Sequence, residues 1–208
     1  MRVLTEAVGP LAAANAAIIA ASQAGTANTK LTLTSSPYTL DASRRIIISS
    51  VGDDSSKTFS IVGLNSSGMP VTETLKGSNG GAAQSLYDYT VITGITPSAN
   101  TASTITVGTN GVASTRPIHL DKWGFAQVAL QIDITGTVNA TVQQTLDELN
   151  PTSNFQTANW VNHPDSNLVN LTGTVQGNYA YAPMWVRLLL NSGTGSATIK
   201  VLQNGYPR

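Results

Sequence analysis

Residues 46 to 77 read IIISSVGDDSSKTFSIVGLNSSGMPVTETLKG, three short apolar pulses each cut off by Ser, Gly, Asp or Asn. None of these pulses is long enough for a stable helix, and each break is made of turn-forming residues. In residues 57 to 62, Phe59 and Ile61 alternate with Thr58 and Ser60, the two-residue period of a half-buried strand. This rhythm continues to the C-terminus and confines the chain to an all-β fold from residue 30 onward. Strands are expected at 31–34, 45–50, 57–62, 70–76, 89–93 and 103–107, with GSNGG at 77–81 as a turn.

A boundary is expected at VGTNGVASTRP (107–117), and longer strands follow it. In FAQVALQIDI, Ala126, Val128, Leu130, Ile132 and Ile134 share one side. The stretch TVNATVQQTL (137–146) continues after a hairpin at Gly136. Residues 151–181 read as a long irregular insertion. MWVRLLLN and SATIKVLQ supply the last two strands, joined by SGTG. Val128, Leu130, Ile132, Val186, Leu188 and Ile199 are the expected core of this half. The stretches ASTITVGTNG (102–111) and GSATIKVLQNG (195–205) echo each other, through either duplication or chance.

One segment departs from the strand rhythm. Residues 10–23 are Ala-rich, with Pro10 suited to a first helical position and Gly25 ending the run. Leu11, Ala14, Ile18 and Ile19 share one face of the helix expected there. Such a helix is marginal alone, so it is expected to dock on a neighbour. The run resembles a secretory leader, but Glu6 and Pro10 interrupt its start and Asn15 splits it, so it is read as retained. It is too short and too Ala-rich to span a bilayer.

Composition excludes several classes of function. Of the 208 residues 11% are charged, against roughly 25% in ordinary soluble domains, and the formal net charge is 0. No basic run exists to neutralise phosphates, so nucleic acid is not an expected partner. With no cysteine, disulfides and thiolate metal sites are excluded.

The chemistry-bearing residues are scattered. His119 and His163 lie far apart in sequence without metal-binding spacing, and read as loop histidines. Asp53 and Asp54 lack the calcium-loop pattern and read as turn formers. In LKGSNGG the lysine precedes the glycines, so it is no phosphate loop. Glu73 falls on the apolar face of its strand, facing either a barrel mouth or a protected edge. Trp123, Phe125, Trp160, Trp185, Tyr179 and Tyr181 make either a sugar-stacking platform or core and interface packing. No catalytic, metal-binding or cofactor-binding residue is expected. Leu11, Ala14, Ile18, Ile19, Trp123, Phe125 and Trp160 are the interface candidates.

From SRRIIISSVGDDSSKTFSIVGLNSSGMPVTETLKGSNGG through YTVITGITPSANTASTITVGTNG, the chain resembles a family of tailed-bacteriophage virion proteins. The resemblance rests on S-x-G-D-D, F-x-I-x-G, G-x-P-V-T-E-T-L-x-G and I-x-x-I-T-P. ITGTVNATVQQTLDELNP, WVNHPD and NSGTGSATIKVLQNG are similar to its usual continuation, so the likeness covers about residues 43 to 205. It implies a non-enzymatic building block of the particle, a capsid decoration protein or a collar, tail or fibre accessory, assembled in the bacterial cytoplasm. Its implied partners are copies of itself and the major capsid, portal, neck or tail proteins, with no membrane. The expected architecture is two tandem β-sandwich or jelly-roll-like modules, 29–112 and 113–208, after a docking arm at 1–28.

Overall fold

A computed structural model describes residues 2–120, 127–149 and 157–203. The fold is all-β, with a 3-10 turn at Ser166–Leu168. The chain divides into two compact units. Ala13–Gly111 forms an inserted unit, and Met1–Ala12 joins Val112–Arg208 in a composite unit. Strand β1 (Arg2–Val8) therefore belongs with the C-terminal half of the chain.

The inserted unit holds β2 (Asn15–Ala24), β3 (Tyr38–Asp53), β4 (Thr58–Leu64), β5 (Pro70–Lys76), β6 (Asn79–Pro97) and most of β7 (Thr104–Ser114). The strands run in the order β7-β3-β6-β4-β5, with β2 against β7. At 16 and 19 residues, β3 and β6 are far longer than the alternation at 45–50 and 89–93 indicates. Their pairing shifts register three times, between Thr39 and Arg44, Arg45 and Ile47, and Ser50 and Asp53. Each shift inserts unmatched residues and bends the pair, so these two strands can wall the core along their whole length. The core draws on all six strands, through Ile19, Ile46, Phe59, Val71, Tyr89 and Ile105 among others. Phe59 and Ile61 are fully enclosed, each contributing roughly 1.5–3 kcal/mol of hydrophobic stabilisation.

Where a helix is expected over 10–23, residues 10–14 are irregular and Asn15–Ala24 is strand β2. Alanine's helix preference amounts to less than about 1 kcal/mol per residue, and three tertiary features override it here. Ile19 and Ala20 are buried in the sheet core. The Ile19 carbonyl accepts the Thr34 amide at 2.8 Å. The Gln23 carboxamide pairs with the Thr32 backbone as a further strand would, donating to its carbonyl at 2.7 Å and accepting its amide at 2.9 Å. The segment 31–34, expected as a strand, is an irregular stretch that supplies these partners and buries Leu31.

The composite unit holds two antiparallel sheets. Their strands are β8 (Ile118–His119), β9 (Val128–Thr135), β10 (Val138–Thr145), β11 (Val161–Asn162), β12 (Val175–Tyr179), β13 (Trp185–Gly193) and β14 (Ser196–Gln203). One sheet runs β1-β14-β9-β12. In the other, β11 pairs β10 and β10 pairs β13, with β8 and the end of β7 also against β13. Val128, Leu130, Ile132, Ile199 and Val201 line the first sheet, while Val142, Val186, Leu188 and Leu190 line the second; all are buried. Contacts of β13 and β10 with β14 join these apolar faces in a sandwich-like packing.

Part of the stretch read as irregular is strand. In β12, Val175, Gly177 and Tyr179 point inward opposite Ile132, Leu130 and Val128. A Cβ at Gly177 would stand 2.6 Å from a Leu168 methyl, so the bare position leaves room for that buried side chain. That bare position interrupts the apolar alternation by which a strand is recognised.

Candidate functional site

The inserted unit spends its carboxylates internally. Asp54 is wholly buried and accepts from Ser50 Oγ at 2.6 Å, Lys57 Nζ at 2.6 Å and the Ala102 amide at 2.8 Å. Burial alone pushes its carboxyl upward; Lys57, Ser50 and Ala102 outweigh that and hold it below the usual carboxylate range. Its neighbour Asp53 caps the turn by accepting from Ser55 N and Oγ at 3.0 and 2.6 Å, which lowers its pKa. The S-x-G-D-D stretch is thus a lock between the β3–β4 turn and the loop before β7.

Glu73 points inward from β5, into the core. It accepts the Leu86 amide at 2.7 Å, the Tyr87 amide at 3.2 Å and the Tyr89 hydroxyl at 3.1 Å. Burial, then the Glu73 charge, pushes the Tyr89 phenol far above its ordinary pKa and keeps it a donor. Arg44, 1% exposed, grips Asp41 through both carboxylate oxygens at 3.0 and 2.9 Å and donates to the Asn110 carbonyl. Arg45 lies 3.6 Å from the buried Asp88. Glu73 and Asp54 form no acid–base pair over a cleft; each holds backbone in place.

The composite unit gathers a different set, on the outer face of β10 and β13. Gln143 stands opposite Arg187 in register, and Arg187 Nε and Nη2 donate to Gln143 Oε1 at 3.0 and 2.8 Å. Gln143 donates onward to Asn162 Oδ1 at 3.1 Å. The Arg187 guanidinium lies 4.3 Å from the Trp160 ring centroid, a cation–π contact. Two residues before Arg187 and on the same face, Trp185 meets the exposed His119 at 4.5 Å between ring centroids. Farther along, the Asn191 amide nitrogen lies 2.6, 2.8 and 3.3 Å from Asn139 Oδ1, Thr141 Oγ1 and Asn170 Oδ1. The result is an aromatic and amide face with a guanidinium held beneath one ring.

The aromatic residues weighed as one platform divide. Trp160 and Trp185 share this face. Tyr179 is buried against His163 at 4.4 Å, and Tyr181 lies at the rim, where its hydroxyl accepts from Gln144 at 2.7 Å. His163 is 5% exposed, and burial lowers its pKa against the opposing pull of Asp165. The two histidines stay in separate settings: His163 is a loop residue that accepts the Asp165 amide at 3.0 Å, whereas His119, expected in a loop, ends strand β8 opposite Trp185.

Of the interface candidates, Leu11 and Ile19 are buried inside their own units, Ala14 is exposed, and Ile18 and Trp160 are half-buried. Trp123 and Phe125 lie outside the described residues. Among the described residues no three His, Asp or Glu groups converge as a metal ion requires. A groove of about 540 Å³ in the composite unit is lined by Gln127, Val128, Ala129, Asn178, Tyr179, Ala180 and Leu202, none of them an acid or a histidine. Sequence reasoning missed Gln143 and Arg187, whose signal is their position on alternating strands next to a tryptophan.

No protein-family description, curated protein or solved structure matches this chain.

Proposed function

We propose that this chain is a non-enzymatic structural protein of a tailed-phage particle, a capsid decoration protein that packs on neighbouring subunits. In this reading it assembles in the host cytoplasm and makes its contacts with copies of itself and with other virion proteins. Its two units act as sandwich-like or jelly-roll-like building blocks, and repeated weak contacts sum through particle symmetry. One observation carries the reading: the residues behind the family resemblance are spent on the frame. Ser50 and Asp54 lock a turn to a loop, and Glu73 braces the bend of β6. Such residues preserve a shape, which is what a lattice or attachment protein must supply.

The test is to add purified protein to particles assembled without it and measure bound copies after sedimentation. Saturation at a fixed copy number is expected. Absence of binding to any particle component would overturn the reading.

A collar, tail or fibre accessory that binds a receptor glycan is the second reading, favoured by the Trp160, Arg187, Gln143 and Trp185 face. Aromatic surface beside fixed amides suits a sugar ring. Glycan binding that is lost in Trp185→Ala, with the fold intact, would select this reading over decoration.

A further inference from the structure

The segment between β11 and β12 leaves the edge of β10 and then comes back to it. The His163 amide donates to the Val142 carbonyl at 2.9 Å, and Leu171 exchanges backbone bonds with Ala140 at 2.6 and 2.9 Å. Between these two points residues 164–170 swing away from the sheet, and Leu168 is the one buried residue among them. Leu168 packs into the sandwich at Gly177 of β12.

The turn in this excursion is bonded largely to itself. The Asp165 carboxylate accepts the Asn167 amide at 2.9 Å, and its carbonyl accepts the Leu168 amide at 3.0 Å. The Val169 amide donates to the Ser166 carbonyl at 3.1 Å. Among the described residues one hydrogen bond ties the turn to its root: the Asp165 amide donates to His163 Nδ1 at 3.0 Å. At the far end the Asn170 amide donates to Thr141 Oγ1 at 3.1 Å.

A neutral imidazole that accepts at Nδ1 carries its proton on Nε2. The groups around this ring are few. Tyr179 of β12 packs on it at 4.4 Å between centroids, Val142 of β10 brings no charge, and Asp165 on its own segment is the charged group that acts on it. A proton added at Nδ1 turns that atom from acceptor to donor. It then faces the Asp165 N–H, donor against donor. The new charge also sits on a side chain that is 5% exposed, which is costly unless the charge is paired.

We infer that His163 is a proton-operated latch: taking up a proton at Nδ1 releases the 164–170 excursion while both sheets of the composite unit persist. Burial holds the ring below its usual pKa against the pull of Asp165, so the latch is closed at neutral pH. The released ring titrates near the ordinary value of about 6.5. Acid therefore favours release below that value, by up to about tenfold per pH unit until the closed-state pKa is reached. Release also withdraws Asn170 from Thr141 Oγ1 and from the Asn191 amide nitrogen. A proton taken up at the edge of β10 thereby loosens the amide face of β10 and β13. The device belongs to neither reading of function, and its test needs neither particles nor glycan.

Amide hydrogen exchange of the full chain, followed from about pH 7.5 to about pH 5 and corrected for its intrinsic pH dependence, reads the latch directly. Protection of the 165–170 amides should fall by about tenfold or more over that range, while the amides of β9 and β14 stay protected. His163→Asn should keep the excursion closed throughout, because a short carboxamide oxygen accepts the amide two residues on and does not titrate. Asp165→Asn keeps an acceptor for the Asn167 amide but removes the charge that favours the proton, so release should move to lower pH. Circular dichroism at neutral pH checks that each variant is folded, and the Asp165→Asn shift still decides the matter if His163→Asn is not. Protection of 165–170 that does not change with pH overturns the inference. So does release in His163→Asn at the same pH as in wild type, or a midpoint that Asp165→Asn leaves in place or raises. Loss of protection in β9 and β14 together with 165–170 also overturns it, since the excursion would then open only with the whole unit.

Discussion

The two units stabilise buried polar groups by different means. In the inserted unit the buried polar groups include charged ones held by partners: Asp54 by Lys57, Arg44 by Asp41 and Asp88 by Arg45. In the composite unit they are mostly amides and hydroxyls, such as Thr141, Gln144 and Thr145, with Arg187 and His163 as exceptions. Charged posts hold strongly and fail abruptly when one partner is removed. Amide ladders lose less with each deletion and are indifferent to pH. The inserted unit should therefore be the more fragile of the two to charge-altering substitutions.

The largest effect is expected from Asp54→Ala. It strands Lys57, Ser50 Oγ and the Ala102 amide, and should cost about 3–5 kcal/mol, the scale of breaking a buried pair. Chemical denaturation followed by probes placed in each unit would show whether the loss is confined to the inserted unit. Leu130→Ala in the composite unit should cost about 2–5 kcal/mol, because the side chain is 2% exposed between two sheets. A neutral result there would mean that the sheets are not packed through Leu130.

Acid should separate the units. Asp54 has a lowered folded pKa, so its stabilisation is full above the unfolded value near 3.9 and is lost as pH falls through the folded value. His163 also has a lowered folded pKa, but as a base it is buried neutral. Protons then favour the unfolded state once pH drops below about 6.5, and this cost stops growing below the folded pKa. On acidification the composite unit should weaken first, near pH 6, and the inserted unit only below about pH 4. His163→Gln should remove the first phase and Asp54→Asn the second, as read from melting curves across pH. The smallest effect is expected from Gln143→Ala, about 1 kcal/mol, because Arg187 keeps its stacking on Trp160. A larger loss would mean that the outer face carries more of the stability than its exposure indicates.

Much of this fold is legible where a strand is short and regular. The inward set Phe59 and Ile61 in β4, and the set Val128, Leu130 and Ile132 in β9, follow from alternation alone. The long pair of β3 and β6 is not legible, because each bulge resets the alternation and only unbroken stretches stand out. Residues 15–24 mislead for another reason. Alanine's local preference is small, and the partners that overturn it, Thr32, Thr34 and the sheet core, are invisible in a local window. Glu73 is legible as an anomaly on an apolar face, but its partners at 86, 87 and 89 come from the bend in β6. The outer face of the composite unit needs the register of three strands before Trp160, Gln143 and Arg187 meet.

The central claim is that this chain uses its chemistry to hold a shape and its surface to assemble. Its most direct test is the number of copies bound per particle when purified protein is titrated onto particles lacking it. The account predicts saturation at a fixed number set by particle symmetry, retained in Trp185→Ala. Binding that never saturates, or no binding to particles at all, would contradict it.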